Sequence, residues 1–485
     1  MATYLSPGVY VLEKPSDIKP ISGVGTSTAG FIGLYPDELD IPEPNPDYDP
    51  TKAASSNPPP PKPPKPRPDQ PAGPEPAPPP ANTPTENDES SPFRLIKFPP
   101  AEDAEAKRAK DRAQTMGFDT DRVERETRAA IKEHLKEIPK AGEVKLVTSF
   151  SEFRRYFGGF STNVEQRNLA HAVYGFFQNG GTRCWVARDK GADKIGSILE
   201  KFEAIDEIAL VAAPGFTKDG IREAIVAHCE KLGDRFAILD TPLEAGPGET
   251  PDIAALIDER RRKDNIPGDS NNAAIYFPWV QIQDPATKIQ DPKGDGTLYV
   301  PPSGHVAGIY ARVDQERGVH KAPANEVIRG ALDLRYYISR ASQDCLNPVG
   351  INCIRDLNGA IRVWGARTVG GDRNNEWKYV NIRRTFLYLK ESIDEGTQWV
   401  VFEPNDRMLW GKIVRNVSAF LTNVWRDGAL FGSTAQEAFY VKCDDETNPP
   451  SIREQGQVVT EIGVALTRPA EFVIFHVSQW AGPQR

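Results

Sequence analysis

The stretch Arg468–Gln479 reads RPAEFVIFHVSQ and lies at the C-terminal end of the chain. Its run from Phe472 to Val477 combines aromatic and β-branched residues, which is typical of a strand covered on both faces. The preceding segment Val458–Leu466 alternates apolar with polar or small residues, so it predicts a half-buried neighbouring strand. Because backbone N–H and C=O groups need partners, a terminal strand of this kind either inserts into its own sheet or adds to the sheet of a neighbouring molecule.

The N-terminal stretch raises the same question. Its short apolar pieces, Tyr4-Leu5 and Val9–Leu12, have strand propensity. Pro15 and Pro20 disfavour a helix and prevent pairing as a central strand. We therefore predict an arm that leads through a Gly/Ser/Thr-rich stretch, whose glycine spacing does not fit a dinucleotide-binding fingerprint, into a strand at Ala29–Leu34.

Length and composition limit the class of protein. A chain of 485 residues exceeds the usual size of a single core, so two or three domains are expected. The net charge of −9 argues against general nucleic-acid binding. No apolar run approaches about 18 residues, and no signal peptide begins the chain, so we expect no membrane span and synthesis in the cytoplasm. The five cysteines are scattered without a CxxC pair, which favours buried free thiols over a metal site.

A proline-rich segment interrupts the chain early. Residues Pro36–Pro100 hold more than half of the 44 prolines and are expected to be disordered or polyproline-like. Ala101–Ile138 is rich in Ala, Glu, Lys and Arg, and predicts one helix or a pair of helices broken near Gly117. We therefore treat residues 36–140 as an insertion.

The remainder divides into two patterns. Glu143–Pro278 alternates short apolar strands with amphipathic helices, which predicts βαβ units and a mainly parallel sheet. Further helices are predicted at Pro301–Val313 and Asn325–Ser339, followed by a hairpin around Asn358-Gly359. Two long amphipathic helices and short strands then predict a smaller α+β domain that begins at Leu346 and includes the hairpin.

No motif of an established chemistry is present: the sequence lacks a phosphate-binding loop, an HExxH pair and a nucleophile elbow. We therefore assign no catalytic, cofactor-binding or metal residues and no cofactor. Lys412 and Arg415 share the polar face of the helix predicted at Asp406–Trp425, where a partner contact and a solvated face are equally open readings. A hydrolase or nucleotide-binding enzyme on the α/β domain is the main alternative function, and a scaffold with a partner-binding proline-rich insertion is another.

The sequence resembles contractile tail sheath proteins of phage tails and of phage-tail-like extracellular contractile injection systems. The resemblance rests on four segments: YLSPGVYVLEKP near the N-terminus, LNPVGINCIRDLNGAIRVWGARTV, YVNIRRTFLYLKESIDEGTQWVVFEPND and the ending RPAEFVIFHVSQ. It covers both ends and most of residues 143–479, and it leaves out Pro36–Lys140.

The resemblance implies a fold of class α/β plus α+β. It consists of a mainly parallel sheet domain, subtilisin-like in shape, and a smaller C-terminal α+β domain with extended arms at both ends. The implied layout is an N-terminal arm (1–22), a first strand (23–35), the insertion (36–140), the α/β domain (141–345), the C-terminal domain (346–470) and a C-terminal arm (471–485).

The resemblance also implies a function and partners. It describes a structural subunit that polymerises as stacked hexameric rings around an inner tube and contracts to drive the tube through a target envelope. The implied partners are other copies of the chain, the tube protein, and baseplate and terminator or cap proteins, with no direct nucleic-acid binding. Assembly is expected in the cytoplasm, into a phage tail or a tail-like particle that is either released or anchored to a membrane.

Particular residues follow from the same resemblance. Intersubunit strands are expected in the two arms, at Tyr4, Leu5, Val9, Tyr10, Val11, Phe472, Ile474, Phe475 and Val477. The tube-facing contacts are expected at Lys412 and Arg415. The candidate hinges are Gly23, Gly25, Gly456 and Gly463, because glycine tolerates large backbone rotations.

Overall fold

The computed structural model describes residues 20–34, 36, 38–45, 91, 93–191, 195–218, 220–246, 250–261 and 270–474. Their contacts form two units. The α/β unit comprises Thr26–Glu316 and Ala322–Val380. The described part of the C-terminal unit consists of residues 20–25, 317–321 and 381–474.

The described residues contain sixteen strands. In chain order they are β1 (Ala29–Leu34), β2 (Leu39–Pro44), β3 (Phe93–Phe98), β4 (Val144–Val147), β5 (Cys184–Asp189), β6 (Leu210–Ala212), β7 (Phe236–Asp240), β8 (Ala273–Phe277), β9 (Val280–Gln283), β10 (Thr297–Val300), β11 (Glu326–Val327), β12 (Ala331–Leu334), β13 (Ile351–Leu357), β14 (Ala360–Val363), β15 (Phe439–Lys442) and β16 (Glu461–Val464).

The same residues contain fourteen α-helices. They are α1 (Glu102–Met116), α2 (Thr120–Glu137), α3 (Phe150–Phe157), α4 (Val164–Asn179), α5 (Ile195–Glu203), α6 (Ile221–Leu232), α7 (Ile253–Arg261), α8 (Pro285–Gln290), α9 (Ser303–Arg317), α10 (Arg340–Leu346), α11 (Val380–Thr397), α12 (Arg407–Arg426), α13 (Ala435–Ala438) and α14 (Pro450–Glu454).

The α/β unit is organised around a large sheet. Among the described residues it has nine strands in the order β11-β14-β13-β8-β7-β6-β1-β5-β4. The six neighbours from β13 to β5 pair in parallel, and β4, β14 and β11 add antiparallel strands at the edges. The mixed α/β fold with a mainly parallel sheet, predicted from the alternating pattern, is therefore confirmed.

Strand β1 is central to this sheet, although the insertion separates it from the rest of the domain in sequence. It pairs in parallel with both β5 and β6, and Phe31 and Ile32 are fully buried. A Cβ on Gly30 would lie 2.6 Å from the ring of Phe202, and a Cβ on Gly33 would lie 2.6 Å from Leu169. The two glycines therefore allow helices to pack closely on opposite faces of the strand.

The hairpin around Asn358-Gly359 belongs to the large sheet, so its assignment to the C-terminal domain was wrong. Strand β13 pairs in parallel with β8, and Ile351–Ile354 are buried. The turn signal at Asn358, which has φ of 57°, is local and carries no information about which sheet the hairpin joins. Ile351, Cys353 and Ile354 are apolar, and the polar Asn352 between them is buried with its amide nitrogen donating to the backbone oxygens of Ile275 and Arg367.

The helix predicted at Asn325–Ser339 was also wrong. The segment contains strands β11 and β12 instead, and β12 pairs with β9. Asn325 and Gly330 have φ of 62° and 89°, which interrupt a helix at both positions.

The insertion is partly folded. Strands β2 and β3 pair as an antiparallel hairpin, so the expected disorder of Pro36–Pro100 is wrong at both of its ends, while residues 46–90 lie outside the described residues. The predicted break near Gly117 is confirmed, since α1 ends at this residue with φ of 75°. Leu39, Phe98 and Ile138 form a small core, and Ser161 Oγ donates to the backbone oxygen of Asp40 at 3.0 Å.

The C-terminal unit packs two helices against a small hairpin. Its core includes Leu389 from α11 and the apolar face of α12, with Ile413, Val417 and Leu421. Strands β15 and β16 pair antiparallel. The expected third strand at Phe472–Val477 does not join this hairpin over residues 472–474, and Phe475–Val477 lie outside the described residues.

Three general features of the described residues bear on function. No helix among them is long and apolar enough to cross a membrane. Within the same residues, no three His, Cys, Asp or Glu side chains are grouped so that they could hold a metal ion. Cys184, Cys229, Cys353 and Cys443 are buried free thiols, while Cys345 is exposed.

Candidate assembly surfaces

The end of the described chain exposes consecutive apolar side chains. Phe472, Val473 and Ile474 are 69%, 69% and 76% exposed. They follow a β-bridge between Leu430 and Leu466 and a backbone hydrogen bond from the Thr467 amide to Ala429. Three adjacent exposed apolar residues are costly in water, so the segment is suited to burial against another surface.

The start of the described chain is fixed to the same unit. Ile21 is only 9% exposed and lies in the core with Leu389. The Val24 amide donates a hydrogen bond to Ser392 Oγ at 3.1 Å. Both ends of the described chain therefore leave from the C-terminal unit. The predicted arm residues Tyr4, Leu5, Val9, Tyr10, Val11, Phe475 and Val477 lie outside the described residues.

The β15–β16 hairpin offers free strand edges. Among the described residues the two strands pair only with each other, so one edge of each strand has no ladder partner. Open edges of this kind accept an added strand through main-chain hydrogen bonds. The exposed side chains of Phe431 (73%) and Tyr440 (53%) lie beside this hairpin, and the sequence analysis did not single them out.

Helix α12 contains basic residues but no acidic ones. Its sequence contains Arg407, Lys412, Arg415 and Arg426 and no Asp or Glu. Arg407 forms an ion pair with Asp445 at 2.8 Å. Arg415 is exposed and Lys412 is half-buried, and neither forms an ion pair within the described residues. The two predicted cations are therefore available to an acidic partner.

The loop before α12 holds an unusual aromatic residue. Phe402 has φ of 68° and is completely exposed, and its neighbour Val401 is 59% exposed. A bulky residue in the left-handed region is strained, and such positions persist where the surrounding structure or a function requires them. Met408, in the first turn of α12, is also 73% exposed, so apolar groups lie at the same end of the helix. No sequence pattern indicated this feature, because backbone strain at a non-glycine residue has no sequence signature.

The predicted hinge glycines lie in different environments. Gly23 faces the ring of Tyr388, whereas nothing lies near the Cβ position of Gly25. Gly456 has φ of 71° and ends the turn after α14. Gly463 lies within β16, where an added Cβ would meet the ring of Tyr440. Their role as hinges stays a prediction.

Two buried polar pairs in the α/β unit have structural partners. Asp240 accepts hydrogen bonds from the Ser303 hydroxyl at 2.6 Å, the Ser303 amide and the Gly215 amide, and so holds the first residue of α9. Burial raises the pKa of Asp240 to about 6. His171 Nε2 lies 3.1 Å from Asp284, which caps α8. Both pairs are almost completely buried, which places them away from a dissolved substrate.

Two protein-family models match this chain. The phage tail sheath protein central domain matches residues 190–369, and the phage tail sheath C-terminal domain matches residues 372–479. Together they cover more than half of the chain. The chain belongs to the phage tail sheath family. This match does not favour the alternative of a hydrolase or nucleotide-binding enzyme.

Relatives of this tail sheath protein come from phages and prophages. It is 28% identical over 190 residues to the tail sheath protein of Vibrio phage KVP40, which covers 38% of the chain and 27% of that protein. It is 27% identical over 281 residues to a putative prophage major tail sheath protein of Pseudomonas aeruginosa strain UCBPP-PA14, which covers 56% of the chain and 65% of the relative. The matches thus span less than two thirds of these curated relatives.

Solved structures agree on the fold. The sheath of the PVC extracellular contractile injection system in its contracted state is 28% identical, with a TM-score of 0.60, over 71% of this tail sheath protein and 88% of that chain. The helical sheath of the anti-feeding prophage in its contracted state is 24% identical, with a TM-score of 0.61, over 98% of this chain and 100% of that one. The second likeness concerns the fold alone.

Proposed function

We propose that this protein polymerises as stacked hexameric rings around an inner tube and contracts to drive the tube through a target envelope. The observation that carries the proposal is that both described ends leave the C-terminal unit, one of them with Phe472, Val473 and Ile474 exposed. A subunit whose two ends leave from one unit can join several neighbours while its α/β unit remains free to move. Strands added to the open edges of β15 or β16 would supply the main-chain bonds of such a lattice.

The arms would be the intersubunit connectors in this proposal. Each ladder hydrogen bond contributes roughly 0.5–1.5 kcal/mol net, so several per arm, repeated through a lattice, add up to a firm connection. Gly25 is the last residue of the C-terminal unit before the chain enters the α/β unit. A bend at that position would allow the paired strands to stay intact while the units reorient. Gly23, Gly456 and Gly463 remain further candidates.

The surface of α12 would face the tube. Exposed Arg415 and half-buried Lys412 fit acidic groups there, and the contact would repeat at every subunit of every ring. Individual exposed ion pairs contribute on the order of 0.2–1 kcal/mol. Repetition therefore matters more than the strength of any one pair.

The remaining parts of the proposal rest on what the resemblance to the family implies. The α/β unit would be the subtilisin-like domain of the layout given above, with the insertion on the outer face of the sheath. Baseplate and terminator or cap proteins would close the two ends of the polymer. Assembly would take place in the cytoplasm, into a phage tail or a tail-like particle.

Electron microscopy of purified protein tests the proposal. The wild-type chain should form hollow tubes or rings, and the triple variant Phe472→Ser, Val473→Ser, Ile474→Ser should stay monomeric while remaining folded. The matched control is Met116→Ser with Phe118→Ser, which removes two exposed apolar residues (69% and 64%) from the insertion. Tubes formed by the triple variant would exclude residues 472–474 as a connector. If the wild-type chain formed no polymer even when it is co-expressed with the tube protein, the proposed sheath function would be contradicted.

A further inference from the structure

A small, partly open cleft lies in the α/β unit beside the carboxyl end of β7. Its walls include the apolar side chains of Leu256, Ile275 and Ile351, and its polar groups are Arg222, Glu259 and Arg260. The interior accommodates a particle about the size of a water molecule. The candidate assembly surfaces described above do not include this cleft.

Arg260 enters the cleft as an almost completely buried cation. Its side chain, on α7, is 6% exposed, and one terminal nitrogen donates to the backbone oxygen of Val369. Its Nε is buried without a hydrogen-bond partner. Burial, together with the charges of Arg373 and Arg222, lowers its pKa to about 10, which leaves it protonated at neutral pH. Among the described residues, no carboxylate lies within ion-pair distance of Arg260.

The second guanidinium already uses the carboxylate that lines the cleft. Arg222, on α6, is 2% exposed and forms an ion pair with Glu259 at 2.6 Å. Its other terminal nitrogen lies 3.4 Å from the backbone oxygen of Asp240, and its Nε is buried without a partner. The Asp240 carboxylate, which accepts from Ser303 and Gly215, does not line the cleft. The cleft therefore has two guanidinium groups and one carboxylate, and the positive charge of Arg260 is uncompensated by the described residues.

An uncompensated buried charge is strongly unfavourable, and an arginine cannot escape this cost by losing its proton. A bound anion would offset it. The narrow interior excludes a phosphate or a sulfate held through several oxygens, and the apolar walls favour an ion with a weakly held hydration shell.

We propose that the cleft binds a single-atom anion of the halide class, such as chloride, between the guanidinium groups of Arg222 and Arg260. The ion would connect α6 and α7 across the carboxyl end of β7. Binding would therefore stabilise the α/β unit in proportion to halide concentration.

Thermal unfolding of the full chain tests this inference. Sodium isethionate is replaced stepwise by sodium chloride at constant ionic strength, so that general screening does not change. We expect the Tm of the wild type to rise by about 2 °C or more. Arg260→Gln should lose this response, whereas Arg261→Gln, which changes the exposed neighbouring arginine on the same helix, should keep it.

Chloride NMR line broadening provides a second measurement that needs no variant. Wild-type protein should broaden the line, and added bromide, which is close to chloride in size, should reverse the effect by competition. A wild-type Tm that does not respond to chloride, an absence of broadening, or a full response in Arg260→Gln would each overturn the proposal. Loss of polymerisation in Arg260→Gln, with no chloride response in the wild type, would assign Arg260 a structural role alone, and the halide site would be wrong.

Discussion

Gly23 lies directly against Tyr388: a Cβ added to residue 23 would come within 2.2 Å of the tyrosine hydroxyl oxygen. The backbone on either side is also held, because Ile21 is buried and the Val24 amide donates to Ser392. The stretch that the sequence presents as flexible is thus packed up to residue 24. Gly25 has open space at its Cβ position, so packing restricts its backbone less than that of Gly23.

Replacing Gly23 by alanine should destabilise the C-terminal unit. The new methyl group would force Tyr388 to move, and overpacking of this kind costs roughly 1–3 kcal/mol. Gly25→Ala should change the free energy of unfolding by less than about 1 kcal/mol, since its Cβ meets nothing. Urea unfolding followed by tryptophan fluorescence measures both. Tyr388→Phe should partly rescue Gly23→Ala, and equal effects of the two alanine variants would contradict the packing argument.

Acidification should destabilise the α/β unit through His228. The residue is 5% exposed and its Nε2 has no partner, and burial, aided by Arg235, lowers its pKa to about 4. A histidine whose folded pKa lies below its unfolded value of about 6.5 adds stability above that value, and the stability is lost as the pH falls toward the folded pKa. Between pH 7 and pH 5 we expect a loss of about 1–2 kcal/mol from this residue.

A comparison of variants isolates this contribution. Asp240, whose pKa is raised to about 6, stabilises the folded state as the pH falls over the same range. The Tm of the wild type therefore reports the effects of His228 and Asp240 together. His228→Gln should reduce the loss in Tm between pH 7 and pH 5. The control is His134→Gln, a half-buried histidine of the insertion whose ring contacts the backbone oxygen of Arg155. An unchanged pH dependence in His228→Gln would contradict the assignment.

The insertion should separate into a dispensable and an indispensable part. Replacing residues 46–90 with a short Gly/Ser linker should leave the Tm unchanged within about 2 °C, because the entropy of closing a connection depends only weakly on its length. Removing all of Pro36–Lys140 should lower the Tm by considerably more, because Ile41 and Phe98 of the insertion pack against Gly158 and would be lost. Circular dichroism melts of both deletions check this. Equal melting of the wild type and the longer deletion would show that the whole insertion is dispensable for folding.

The predictable part of the fold follows from periodic patterns. The apolar run Phe236–Leu239 predicts a buried strand, and the apolar residues that recur along one face of α12 predict an amphipathic helix. Long-range placement carries no such signal, which is why the hairpin at Asn358 was assigned to the wrong domain. At the candidate surfaces, Arg415 was found from its position on the helix, whereas Phe402 depends on a backbone angle that only the structure gives.

Reversing the charges on α12 should weaken association with the tube. In Lys412→Glu with Arg415→Glu, repulsion replaces attraction at every repeat, and the defect should be largest at low salt, where screening is weakest. Cosedimentation of sheath with tube across a salt series measures it. The control, Lys132→Glu with Lys136→Glu, changes two exposed lysines of the insertion and should have no effect. Normal cosedimentation of the α12 variant at low salt would exclude this helix as the tube contact.

Removing residues 1–19 should leave a folded protein that does not polymerise. The deletion ends before Ile21, so the contacts of Ile21, Gly23 and Val24 with the C-terminal unit survive and its Tm should change by less than about 2 °C. The sequence predicts that the arm does not fold back as a tight hairpin, since Pro15 and Pro20 interrupt pairing, and an isolated strand is unstable in water. We propose that the open edge of β15 or β16 in a neighbouring subunit serves as its host sheet. Size-exclusion chromatography and electron microscopy distinguish monomer from tube, and normal tubes formed by the truncated chain would show that this arm is not the connector.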